Sequence, residues 1–150
     1  MRTRCAWITA ALFTIVLAWR FFWPTQPGWD ATELRAATPV EFEHYAVAIG
    51  TQPWAASPAV RAEVRVRAGG DDSSRGAAIW ALRRLPSGAD EIATLLAVFR
   101  DRAASVIDRG AAVLGLALAG DSTVRRELEE LRPRLDPLLG VFVDAALGRD

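Results

Sequence analysis

The sequence predicts an all-α protein: one N-terminal transmembrane helix plus a small helical domain, either α-solenoid-like or an irregular bundle. Three observations predict it. Residues 5–23, CAWITAALFTIVLAWRFFW, hold no charge between Arg4 and Arg20. Beyond them, Ser, Thr or Asp at helix-start positions, often followed by Pro, alternate with Gly or Pro stops. No two alternating segments flank a tight turn as a hairpin would require. The 150 residues leave room for one domain beyond the anchor. The divisions are 1–23 for the anchor, 24–38 for a linker with a short interfacial helix, and 39–150 for the helical domain.

A spanning helix takes about 20 mostly apolar residues, and residues 5–23 suffice if Arg20 reaches its guanidinium back to the interface. Trp7 at one end and Trp19 and Trp23 at the other form an aromatic belt, and Trp29 is a further interface anchor. A secretory signal would end in small residues. This run instead ends in Trp19-Arg20-Phe21-Phe22-Trp23-Pro24, so the helix is expected to be retained. Cys5 precedes the apolar core, which does not suit a lipoprotein. Arg2 and Arg4 favour a cytoplasmic N-terminus and an extracytoplasmic domain. Ala6, Ala10, Thr14 and Ala18 recur every four residues, a small-residue face on which a second membrane helix can pack closely. A segment this rich in small residues also produces such ladders by chance.

All 18 basic residues are Arg and Ala occurs 28 times, codon usage that points to a GC-rich bacterial genome and hence to a bacterial inner membrane. From residue 39 onward 14 Arg stand against 16 Asp plus Glu, a net charge of −2. A nucleic-acid binder shows a clustered basic excess, so no nucleic-acid partner is expected. The single cysteine, Cys5, precludes an intramolecular disulfide and a cysteine metal cluster.

The elements follow in order. Pro24, Pro27 and Gly28 break helix in the linker. Asp30 and Glu33 have capping-box spacing for a short helix over 31–37, and Thr38-Pro39 with Glu41 repeats the signal for a helix to Gly50. Ser57-Pro58 opens a helix ending at Gly69-Gly70, although Val64-Arg65-Val66-Arg67 alternates as a strand would. Residues 71–74 supply caps for a helix to Leu85, and Ser87 for the next, with Ile92, Leu95, Leu96 and Phe99 on one face. Asp101 is expected to start a longer helix to Ala119. Its uncharged run AAVLGLALAG predicts the most buried helix of the domain. Asp121 opens a helix interrupted at Pro133, and Asp136-Pro137 the last, ending near Gly148.

RGAAIWALRRL at 75–85 aligns with RGAAVLGLALA at 109–119, 34 residues on. Each copy precedes a turn and a second amphipathic helix. Such a period, with two helices per unit, is the pattern of helical solenoids. Over about residues 72–133 the chain resembles HEAT-type repeats. RGAA with its apolar positions and Ala119-Gly120-Asp121 looks like a first helix and turn, and STVRRELEEL like a second helix. A degenerate unit would fall at 39–70 and a half-unit at 136–148. The resemblance implies a binding surface or scaffold.

No catalytic set can be assembled. His44, the only histidine, stands three residues after Glu41, but a carboxylate metal site needs further ligands on a facing helix. The serines are placed as caps, and G-x-S-x-G and phosphate-loop motifs are absent. The sequence therefore predicts no enzyme activity, no cofactor and no metal site. It predicts a single-pass membrane accessory or scaffold subunit that docks on a larger membrane protein complex, of the respiratory or photosynthetic kind. The alternative is a membrane-tethered adaptor whose helical domain binds a soluble protein or peptide.

Overall fold

The computed structural model describes residues 28–85 and 88–149. Among these, regular structure is entirely helical: α1 (Ala31–Ala36), α2 (Pro39–Thr51), α3 (Pro58–Gly69), α4 (Arg75–Leu82), α5 (Ala89–Arg100), α6 (Val106–Ala119), α7 (Ser122–Leu131) and α8 (Pro137–Leu147). Single 3-10 turns lie at Pro53–Ala55 and Arg132–Arg134. The all-α expectation holds for them, and none of these helices is long and apolar enough to cross a membrane. The segment 5–23 lies outside the described residues, and with it Ala6, Ala10, Thr14, Ala18, Trp7, Trp19, Arg20 and Trp23.

Most local start signals operate as read, although Asp30 caps α1 through Thr32 N without a capping box to Glu33, and Ser74 makes no side-chain cap bond to α4. Thr38 and Glu41 close a reciprocal capping box at α2. Ser57, Asp121 and Asp136 accept hydrogen bonds from the free N–H groups of α3, α7 and α8. Gly120 and Gly148 end α6 and α8 at φ +67° and +68°, the left-handed conformation that favours glycine. The strand-like alternation at 64–67 is helical. Its α-helical spacing lets Arg61 and Arg65 share one carboxylate, Glu91 of α5, at 3.3 and 2.7 Å.

Several expected boundaries move: α4, expected to reach Leu85, ends at Leu82, and the N-cap of α5 is Gly88 and not Ser87. The long helix starts at Val106, five residues after Asp101. Asp101 instead folds a turn, its carboxylate accepting from Ala103 N and its carbonyl from Ala104 N, and Ser105 takes the cap. Gly50 does not stop α2, which runs one residue further, because Gly50 is held for its lack of a side chain.

The helices alternate between two layers. α2 packs on α4, α4 on α6 and α6 on α8, while α1 packs on α3 and α3 on α5. Sequential pairs such as α3 with α4 and α5 with α6 bridge the layers. Between them runs one apolar core that includes Phe42, Ile49, Ile79, Phe99, Leu116 and Leu139. Full burial of each such side chain contributes roughly 2 kcal/mol.

Close approach in the even-numbered layer depends on glycines. Gly50 of α2 faces Trp80 of α4. A Cβ on Gly115 of α6 would lie 2.8 Å from the Cβ of Arg83, which caps the end of α4, and one on Gly110 would lie 2.5 Å from the Phe142 ring of α8. The 34-residue repeat shares one burial register. Ala78, Ile79, Ala81 and Leu82 are buried in the first copy, and Ala112, Val113, Gly115 and Leu116 in the second. The register breaks at the glycine after each arginine: Gly76 is exposed, whereas Gly110 is buried under Phe142.

Arginines fasten the N-terminal helices. One Arg67 nitrogen, Nη2, donates to the carbonyls of Leu34, Arg35 and Ala37 at 3.1, 3.2 and 2.7 Å, closing the C-terminal end of α1. Its other terminal nitrogen donates to Ser74 Oγ, and its guanidinium lies over the Phe42 ring. One side chain of α3 thus ties down α1, α2 and the entry to α4.

Candidate interaction surface

The residues with chemical potential are placed as structural groups. The Glu41 carboxylate accepts from both the backbone N–H and the hydroxyl of Thr38, each at 2.8 Å, and those bonds hold its pKa low. It is therefore committed to the α2 cap, and His44 is exposed one turn on. Among the described residues no group of three or more His, Cys, Asp or Glu is arranged to hold a metal. Ser57 and Ser105 cap helices, and Ser74 is buried with its hydroxyl donating to Asp72.

What the fold does present is an asymmetry between its layers. Among the described residues, eight large apolar side chains are more than half exposed, and six of them belong to even-numbered helices: Val40 and Val47 of α2, Ile107 and Leu118 of α6, Leu138 and Val141 of α8. An isolated exposed Leu carries no information. Concentration on one layer does, because contiguous apolar surface is what interfaces are made from. The outward positions of α1, α5 and α7 instead carry Glu33, Arg35, Asp90, Arg100, Arg126 and Glu130.

Helix α6 is the centre of this face. Its inner side buries Gly110, Ala112, Val113, Gly115 and Leu116. Ile107 and Leu118, near its two ends, are 63% and 66% exposed, and Ala111 and Leu114 between them are half-buried, Ala111 against the core. With five buried residues this helix has more than any other described helix, and only Ile107 and Leu118 of its fourteen residues are exposed. These four apolar residues recur at i, i+4, i+7 and i+11, so a second apolar stripe was readable. Phe142 of α8 lies against Gly110, and Leu138 and Val141 of the same helix are 52% and 61% exposed.

Trp29, expected at the membrane interface, is half-buried and packs against the domain core. The remaining predicted anchor and packing residues lie outside the described residues.

Comparison of this chain with protein-family models, with curated proteins and with solved structures gives no match.

Proposed function

We propose that this chain is a non-catalytic, single-pass membrane accessory subunit whose helical domain docks on and stabilises a larger membrane protein complex. The observation that carries the reading is the set of exposed apolar side chains on α6 and α8, Ile107, Leu118, Leu138 and Val141. The apolar stretch 5–23 supports the membrane location, with the N-terminus cytoplasmic and the domain periplasmic in a bacterial inner membrane. The two-layer contacts and the shared register of the repeat support a short solenoid-like build, a form suited to scaffolding. The likeness to HEAT-type repeats rests on sequence pattern.

The test is extraction of the full-length protein from its native membrane in mild detergent, followed by a native gel and identification of co-purifying proteins. Migration within a larger assembly is expected, and migration as a monomer under every mild condition overturns the reading. Leu at both Ala10 and Thr14 should weaken assembly while leaving membrane insertion intact, because the small-residue face would be filled. Replacing 5–23 by an unrelated span should do the same. Unchanged function after that replacement would favour a tethered adaptor that binds a soluble partner.

A further inference from the structure

A cleft of about 560 Å³ opens between the α5–α6 turn and the α7–α8 turn. Its wall carries four arginines, Arg100, Arg102, Arg109 and Arg134, against one acid, Asp136. The four differ in what they are already bound to. Arg100 is held by Glu127 at 2.9 and 2.6 Å. Arg109 donates from Nε to the Phe99 carbonyl at 2.9 Å, which orients its guanidinium and leaves its terminal nitrogens without a carboxylate. Arg102 and Arg134 are exposed, and neither has an acidic partner among the described residues.

An Arg-rich chain scatters such groups by composition alone, but here they converge. Nine of the fifteen described arginines pair with a carboxylate. Of the six that do not, three face this one cleft. One carboxylate offsets only part of this positive charge, and that of Asp136 also accepts from Leu138 N at the start of α8. Leu131 and Leu135, both half-buried, give the cleft an apolar side. A planar guanidinium fork matches a tetrahedral oxyanion and is held in place far better than a Lys ammonium.

We infer that this cleft binds a phosphate group, with Arg102, Arg109 and Arg134 as its ligands. Two sources share that chemistry: a phospholipid headgroup, whose apolar part would lie along Leu131 and Leu135, and free phosphate.

The test uses the full-length protein in a neutral maltoside detergent, titrated by calorimetry with inorganic phosphate, short-chain phosphatidylglycerol and short-chain phosphatidylcholine. Binding of at least one phosphate probe in the range of about millimolar or tighter is expected. The double variant R102Q/R134Q should weaken it about tenfold or more. R126Q removes an exposed arginine outside the cleft and should leave it unchanged. Equal binding of inorganic phosphate and phosphatidylglycerol assigns a free phosphate site, whereas binding of the lipids alone assigns a headgroup site. The inference is overturned if no phosphate probe binds, or if R126Q weakens binding as much as R102Q/R134Q. It is also overturned if an oligo-glutamate peptide binds where the phosphates do not. Arg102 and Arg134 are exposed, so both variants should keep the wild-type circular dichroism.

Discussion

The indole of Trp80 occupies the space that a side chain at Gly50 would fill: a Cβ there would stand 2.2 Å from Trp80 Cζ3. This contact sets how closely α2 and α4 approach. G50A should therefore destabilise the protein by about 1–3 kcal/mol in denaturant titration, the usual cost of overpacking. G69A, where nothing lies within 4 Å of the added Cβ, should be neutral or slightly stabilising. The double mutant G50A/W80L should lose less than the sum of its single changes. Stabilisation by G50A would show that the ring does not depend on the glycine.

Arg67 should be the most sensitive arginine of the N-terminal half. A hydrogen bond from a charged donor contributes about 1.5–3 kcal/mol, and R67M removes the bonds of Arg67 to α1 and to Ser74 while keeping an apolar stem. A loss of about 2–3 kcal/mol is expected. Amide exchange should accelerate across residues 31–37 before the rest of the domain. R67K should recover only part, since an ammonium cannot reproduce the fork or its seat over Phe42.

Acid should unfold the domain through its ion pairs. Burial pushes the Glu91 carboxyl up, but the Arg65 hydrogen bond and the charges of Arg61 and Arg65 outweigh it and leave its pKa lowered. Asp72 is lowered by the Ser74 hydroxyl, Asp101 by Arg75 and Asp144 by Arg132. Each folded value lies below the unfolded one, about 3.9 for Asp and about 4.3 for Glu. Their stabilisation is therefore complete above the unfolded value and disappears as pH falls through the folded value. Stability should be flat from about pH 5.5 to 8 and fall below about pH 4.5. E91Q should be less stable at neutral pH and show a shallower acid limb. Thermal melts from pH 3 to 8 would measure both, and an unchanged limb in E91Q would remove Glu91 from the account.

The exposed apolar side chains of α6 and α8 should matter to assembly and not to folding. L118R and V141R place a charge on side chains 66% and 61% exposed, so their stability cost should stay within about 0.5 kcal/mol. On a native gel of mild-detergent extracts the same variants should run smaller than wild type. L82R, at a residue only 1% exposed, serves as the unfolding control. Wild-type migration of L118R and V141R would take these side chains out of the docking surface.

The sequence alone determined the helical class and most helix starts of the described domain. A cap is settled within four residues: Thr38 needs only Glu41, and Asp121 only the N–H groups of Thr123 and Val124. It also held the 34-residue repeat, which the structure shows to share a burial register. Tertiary structure alone decided what the local signals leave open. Asp101 resembles any helix cap until Arg75, 26 residues earlier, meets its carboxylate at 2.9 Å across the turn. Gly50 resembles a helix stop until Trp80 arrives from α4. An apolar run such as 111–119 does not state which of its sides is covered, because that depends on the helices laid beside it. Arginines scattered from 102 to 134 become one cleft only when two turns come together. Local backbone chemistry is written in neighbouring residues, whereas faces and clefts belong to the packing of segments about thirty residues apart.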